Sequence, residues 1–204
     1  MQAVRSAGSS DPASLVDRAK RWVADLYPHG PAHLLQSLAW LDRLAPGSRE
    51  AVRLATLTHD MERAFPGPDQ PASSLSDVEY YRLHSARSAR VVGAWLREQG
   101  AGETLLKDVQ ELVLLHEFGG NPEANLVQAA DSLSFLEVNI DLFLEFARSG
   151  KFSVAEVRGK FDWTYNRIQV ETARPIAKPM YEAARARLAA VEAEMAVGAG
   201  AGGA

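Results

Sequence analysis

The sequence predicts an all-α fold, a compact multi-helix bundle, and three observations carry that expectation. Apolar residues recur at three- and four-residue spacing through most of the chain, as in Leu34, Leu38 and Leu41. Those stripes are separated by clusters that stop helices: Pro46-Gly47, Pro66 to Pro71, Gly100 to Gly102, and Gly119 to Pro122. No segment alternates with period two for long enough to make a strand, and no internal repeat of useful length is present. With 204 residues and 47% hydrophobic content the chain is long enough for one well-buried core and one domain.

The elements follow in order. Residues 1–10 are small and polar and read as a flexible leader, after which Asp11 caps and Pro12 starts a first helix that runs to about Tyr27. Pro28, Gly30 and Pro31 punctuate, with His29 in the turn. The second helix carries His33 in its first turn and ends near Pro46-Gly47. Ser48 is the expected cap of a third helix, Arg49–Phe65, with His59 and Asp60 in its last turns, and four prolines and glycines then force a loop to about Ser76. Asp77 opens a long helix to about Gln99, in which Tyr81, His84, Ser88, Val91 and Trp95 share one face. Leu105, Val109, Leu112 and His116 trace the next inner face. A further long helix is expected from about Asn125 to Arg148, with Asp131 one turn from Val127 and Phe135. Gly150 breaks it and Ser153 caps a short helix. Lys160 to Pro179 then mixes Trp163, Tyr165, Arg167, Arg174 and Lys178 among apolar residues. An alanine-rich helix closes the 11–195 domain at about Met195, and residues 196–204 read as a disordered tail.

Charge and composition exclude some classes. A net charge of −4 argues against a nucleic-acid polymer or an anionic membrane as partner, so the expected partner is a small molecule. There is no cysteine, which confines metal binding to His, Asp and Glu and favours hard or borderline ions. The first residues lack the apolar run of a signal peptide, and no stretch approaches the roughly 18 apolar residues of a membrane span, so a cytoplasmic protein is expected.

The unusual feature is where the polar residues fall. Leu54, Leu57, Met61 and Phe65 form a helical stripe, and His59 and Asp60 lie within or beside it. Of the five histidines, His33, His59, His84 and His116 sit on inward faces at or near helix ends, joined by Asp60 and Asp131. Any one of them reads as a core side chain bonded to a carbonyl. Six together would cost roughly 1 to 3 kcal/mol for each group left unpaired, a liability that a cation or two converts into coordination.

The order of these residues resembles the HD-domain metal-dependent phosphohydrolase superfamily, whose pattern is H…HD…D. The matching pieces are PAHLLQSLAWL, ATLTHDMERAF and VQAADSLSFLE, while YYRLHSARSA and VLLHEFGG resemble the added histidines of the binuclear branch, H…HD…H…H…D. The likeness covers 31–137 and leaves the helices of 153–195 as an appendage. It implies an HD-like helical bundle and two divalent ions, with Fe, Mn or Co as candidates. One would be held by His33, His59, Asp60 and Asp131, the other by His84 and His116, with Asp60 bridging. Many members continue the pair as HD-I-G-K, whereas this chain has His59-Asp60-Met61-Glu62-Arg63, so Arg63 stands in the usual lysine position. Glu62 reads plainly as an exposed partner of a nearby arginine.

The implied chemistry is hydrolysis of a small phosphate ester or anhydride, a nucleotide among the candidates. Two ions about 3.5 to 4 Å apart can share a bridging water, lower its pKa toward neutrality and take up charge at phosphorus. Asp60 is the expected catalytic residue. Arg63, Arg82, Arg167 and Lys178 are candidate phosphate-binding cations, with Arg87 and Arg174 as further ones, and Glu117 and Asn121 as residues of the mouth. Tyr80, Tyr81, Trp163 and Tyr165 could stack on a base or simply pack. Two alternatives stand beside this: a mixed-valent di-iron oxygenase of the same ligand order, cleaving a C–C or C–P bond with O2, and a non-catalytic binding domain stapled by metal.

Overall fold

Nine residues, EAVRLATLT, form the helix that the others surround. Seven of them, from Ala51 and Val52 through Leu54 to Thr58, are buried, so this helix is apolar on nearly every side and is stable only inside the bundle. Each fully buried leucine here contributes about 1.5–3 kcal/mol by leaving water. Its two interior threonines donate their hydroxyls to the carbonyls of Val52 and Leu54 one turn back, so no polar atom is stranded.

The computed structural model describes residues 13–27 and 31–201, with side chains to residue 197. Among these, nine α-helices are present and no strand, which makes the fold an all-α bundle. They are α1 (Leu15–Leu26), α2 (Ala32–Leu44), α3 (Glu50–Thr58), α4 (Val78–Glu98), α5 (Glu103–Leu115), α6 (Pro122–Ser134), α7 (Ile140–Arg148), α8 (Val154–Asn166) and α9 (Arg174–Ala201). Helix α3 packs on α1, α2, α5 and α6, while α2 lies along α6 and α4 along α5. Trp22 of α1 stacks on Trp95 of α4, ring centroids 4.7 Å apart, which fastens the first helix to the long one. No helix among the described residues is long and apolar enough to cross a membrane.

Several expected boundaries move, each for a local reason. Ser14 caps α1 by accepting from the Asp17 amide; Asp11, Pro12 and the leader lie outside the described residues, as do Pro28, His29 and Gly30. Ser48 does not cap α3, because its hydroxyl donates to the Ala45 carbonyl instead. The third helix ends at Thr58 rather than Phe65, and a tight 3-10 turn over Met61–Ala64 takes its place. The long helix expected over 125–148 begins earlier, at Pro122 with Asn121 as cap, and is interrupted by a π turn at Phe135–Asn139. Glu137 inside that turn accepts from Gln36 and Trp40 of α2, at 2.6 and 2.7 Å, and so anchors the irregular segment. The last helix runs past Met195 to Ala201, through much of the stretch expected to be disordered; residues 202–204 are outside the description.

Candidate metal centre

Five helices deliver the six expected ligands to one place. His33 is the second residue of α2, His59 and Asp60 follow the last turn of α3, His84 lies mid-way along α4, His116 follows α5, and Asp131 is in α6. Imidazole rings run in a chain: His33 to His59 5.4 Å between centroids, His59 to His116 4.9 Å, His116 to His84 5.3 Å. None of the six is more than 8% exposed. The breaks read from the sequence are what position them. Gly119 and Gly120, with φ of 69° and 124°, turn the chain sharply after α5, so His116 and Glu117 stay inside while α6 returns past them. A side chain at Gly119 would also collide with Asn125, whose carbonyl oxygen would lie 2.3 Å from its Cβ.

Hydrogen bonding fixes the tautomers. His59 Nδ1 donates to the Thr56 carbonyl at 2.9 Å and His116 Nδ1 to the Val113 carbonyl at 2.7 Å. His84 Nδ1 donates to Glu62 Oε1 at 3.0 Å. His33 Nδ1 lies 2.9 Å from the Ser134 hydroxyl, which already gives its single hydrogen to the His33 carbonyl, so here too the ring nitrogen must be the donor. With Nδ1 engaged in this way, each imidazole turns Nε2 inward, a bare lone pair whenever the ring is neutral. Three of these, on His59, His84 and His116, are buried and make no hydrogen bond. They converge on carboxylate oxygens: His84 Nε2 is 2.9 Å from Asp60 Oδ1, and His33 and His59 Nε2 are 3.1 and 3.4 Å from Asp131 Oδ1. A lone pair facing an anion repels it, and a cation between them removes the conflict. The Nδ1–H bonds to carbonyl, hydroxyl and carboxylate are the supporting contacts that metal-bound histidines characteristically make.

Three groupings of these side chains bring one donor atom each within 4.8 Å of one another: His33, His59 and Asp131; His59, Asp60 and His116; His84, His116 and Glu117. Buried His, Asp and Glu here could hold a metal ion. Glu117, expected only at the mouth, thus stands among the potential ligands, its Oε1 3.8 Å from His116 Nε2.

Neighbouring charges set the protonation of these groups. Burial favours neutral Asp60, but Arg63 and His84 outweigh it and hold the carboxyl well below the usual range. Burial likewise opposes ionisation of Asp131, and Arg167 and His59 overcome it. Burial works against protonating His59, yet the charges of Asp131 and Asp60 raise it to about 9. His116 goes the other way: burial and the neighbouring His59 push it down to about 3, so its inward nitrogen stays a bare acceptor.

Around the ligands lies a second ring of contacts. Glu62 is buried, not exposed as its place in the sequence suggested, because the 3-10 turn swings it inward. Its Oε1 accepts from His84 and its Oε2 from Arg87 Nη1 at 2.6 Å, so the expected arginine partner exists but in the interior. Glu62→Gln should weaken metal binding at the His84 end by about 10- to 100-fold, the usual cost of losing such a partner. A metal titration that shifts against the parent is the expected result, and an unshifted one would reduce Glu62 to packing.

The candidate cations divide. Arg63 stays at the centre, its Nε donating to Asp60 Oδ2 at 2.9 Å and its Nη1 to the Tyr80 hydroxyl at 3.2 Å. Arg167 also reaches it, but its guanidinium is occupied by Glu117, Asp131 and Ser132, so its charge is already matched. Arg82 and Lys178 are not brought to the site: both side chains are mostly exposed and pair with Glu79 and Glu182 on their own helices. Arg174 donates to the Ile168 carbonyl, and Asn121 serves as the cap of α6. Of the four aromatics, Tyr80 and Tyr81 line the cavity and Trp163 stacks on Tyr81, whereas Tyr165 stacks on Tyr181. Reasoning from the sequence missed Lys160. Its ammonium lies 4.7 Å from the centre of the Tyr81 ring, makes no ion pair among the described residues, and faces the same cavity. Its spacing on α8, seven residues before Arg167, was the available signal.

A cavity of about 370 Å³ opens onto this centre, with His33, Asp60, Asp131, Arg63 and Lys160 at its polar end. Comparison with curated proteins and with solved structures finds no match. A protein-family model does match, over residues 1–187, and the chain belongs to the family it describes, DUF4202, a domain of unknown function.

Proposed function

We propose that this protein is a metal-dependent phosphohydrolase of the HD type, with a binuclear centre and a small phosphate ester or anhydride as substrate. The observation that carries the reading is the set of four imidazoles, each tied through Nδ1, whose Nε2 atoms gather on the carboxylates of Asp60, Asp131 and Glu117 in a buried space. His33, His59 and Asp131 suit one ion, and His84, His116 and Glu117 a second, with Asp60 between them. Divalent ions bound there would act as Lewis acids toward phosphate oxygen and lower the pKa of coordinated water.

The chain's own residues supply the rest. In the overall reaction water adds to phosphorus, the bond from phosphorus to the leaving oxygen breaks, and the leaving group departs with the proton. Tyr27 and Arg63 donate to Asp60 Oδ2 and so fix the rotation of the carboxylate, leaving Oδ1 toward the imidazoles. Glu117 is pulled down to about 2, burial opposing and Arg167 prevailing, so it remains an ionised acceptor at the cavity wall. Lys160, which makes no close ion pair among the described residues, offers the phosphate a positive charge and, with Arg63, lines the cavity beside the cluster.

The test is a substrate panel on anaerobically purified, metal-loaded protein, read with and without O2. Orthophosphate release that needs Mn, Co or Fe and ignores O2 is the expected result, and Lys160→Met should raise KM about tenfold, roughly 1.4 kcal/mol, without changing metal content. Oxygen consumption with no phosphate released would replace hydrolysis by oxygenation.

A further inference from the structure

The cavity has a second end that phosphate does not explain. Beyond the ligands its wall is mostly carbon, from Phe135, Val138, Leu142, Phe143, Phe146 and Phe152, with the Lys151 ammonium lying over the Phe146 ring at 4.1 Å. The first five share one face of the continuous run from the π turn into α7, their spacing being that of a helical stripe. Val138 and Leu142 are each 38% exposed, a poor position for large apolar side chains unless something covers them. The four phenylalanines pack edge to face, which makes the wall stiff before any ligand arrives. Asn139 is the one side-chain amide in this part of the lining, too little to read the hydrogen-bonding edge of a nucleobase.

We infer that the substrate is a phosphate monoester of an apolar alcohol, its phosphate at the metal centre between Arg63 and Lys160 and its hydrocarbon chain along the wall from Phe135 to Phe152. This rests on the hydrolase reading of the same centre. The volume suits such a molecule, since a cavity of about 370 Å³ lies in the range of small-molecule sites. Polarity is arranged to match, cations and carboxylates at one end and, at the other, hydrocarbon with the Lys151 ammonium against its far rings. A nucleoside monophosphate would bring a polar base and ribose against carbon.

The test uses metal-loaded full-length protein with methyl, butyl and hexyl phosphate, and AMP as the polar comparison. kcat/KM is expected to rise along the alkyl series by about fourfold for each methylene, the equivalent of about 0.8 kcal/mol, and hexyl phosphate to be preferred to AMP. Leu142→Ser and Val138→Ser change half-exposed positions without opening the core, and each should lower the hexyl-to-methyl ratio by about tenfold. A flat series, an unmoved ratio in both variants, or a preference for AMP would overturn the inference. Should no ester release phosphate, the hydrolase reading fails separately. Binding of methyl- and hexylphosphonate, followed by thermal shift, then still decides about the wall: tighter binding of the hexyl compound upholds it, and equal binding ends it.

Discussion

Asp60→Asn should remove nearly all of the proposed phosphate release, by about a thousandfold or more, and leave at most one of the two proposed ions bound. The substitution keeps the shape and an acceptor oxygen but deletes the charge. Asp60 Oδ1 lies 2.9 Å from His84 Nε2 and 4.0 Å from His59 Nε2, so one oxygen faces an imidazole from each of the two proposed ion sites. Its other oxygen receives Tyr27 and Arg63, which cannot supply charge to a cation. Without the carboxylate, Arg63 repels any ion placed there, and the several kcal/mol of charge stabilisation that an ion provides is lost, each 1.4 kcal/mol being a factor of ten. Elemental analysis and phosphate release read the two effects, with circular dichroism to establish that the helices persist. Normal turnover at normal metal content would contradict the bridging role.

How much of this was legible from the sequence depends on what each residue's position requires. The six side chains of the buried cluster could be read because each lies at helical spacing from apolar neighbours or close after a helix end, and helical spacing is a local property. The stops at Gly100, Gly119 and Gly150 could be read for the same reason, since each takes a positive φ that glycine alone adopts freely. What failed was whatever depended on contacts between elements. Glu62 looks exposed in a continuous helix and is buried once the 3-10 turn re-aims it. Arg82 and Lys178 are no different in the sequence from Arg63 and Lys160, and only the packing of α4, α8 and α9 sends one pair to solvent and the other to the cavity. The π turn could not be foreseen, because the contacts that anchor it join Glu137 to Gln36 and Trp40 about a hundred residues earlier in the chain.

Arg167→Met separates a supporting role from a substrate-binding one, because two measurements should move in opposite directions. The guanidinium sits 5% exposed between Glu117 and Asp131, both ionised, and donates to Ser132 at 3.0 Å. Methionine fills similar space and leaves two buried carboxylates without their cation. Breaking a buried pair in this way costs about 3–5 kcal/mol, so the metal-free variant should melt roughly 6–20 °C lower, at 2–4 °C per kcal/mol for a domain of this size. In the metal-loaded protein Asp131 would keep a positive partner, so the loss there is smaller. Linkage then demands that the variant bind metal more tightly than the parent, by the difference between the two losses. Removing a fixed positive charge beside a cation site gives the same sign from Coulomb's law. Arg167→Lys, which keeps one charge but cannot span both carboxylates, should fall between. Calorimetry with and without metal, together with a metal titration, reads both quantities. An unchanged melting temperature and metal affinity with a raised KM would instead make Arg167 an arm that holds the substrate.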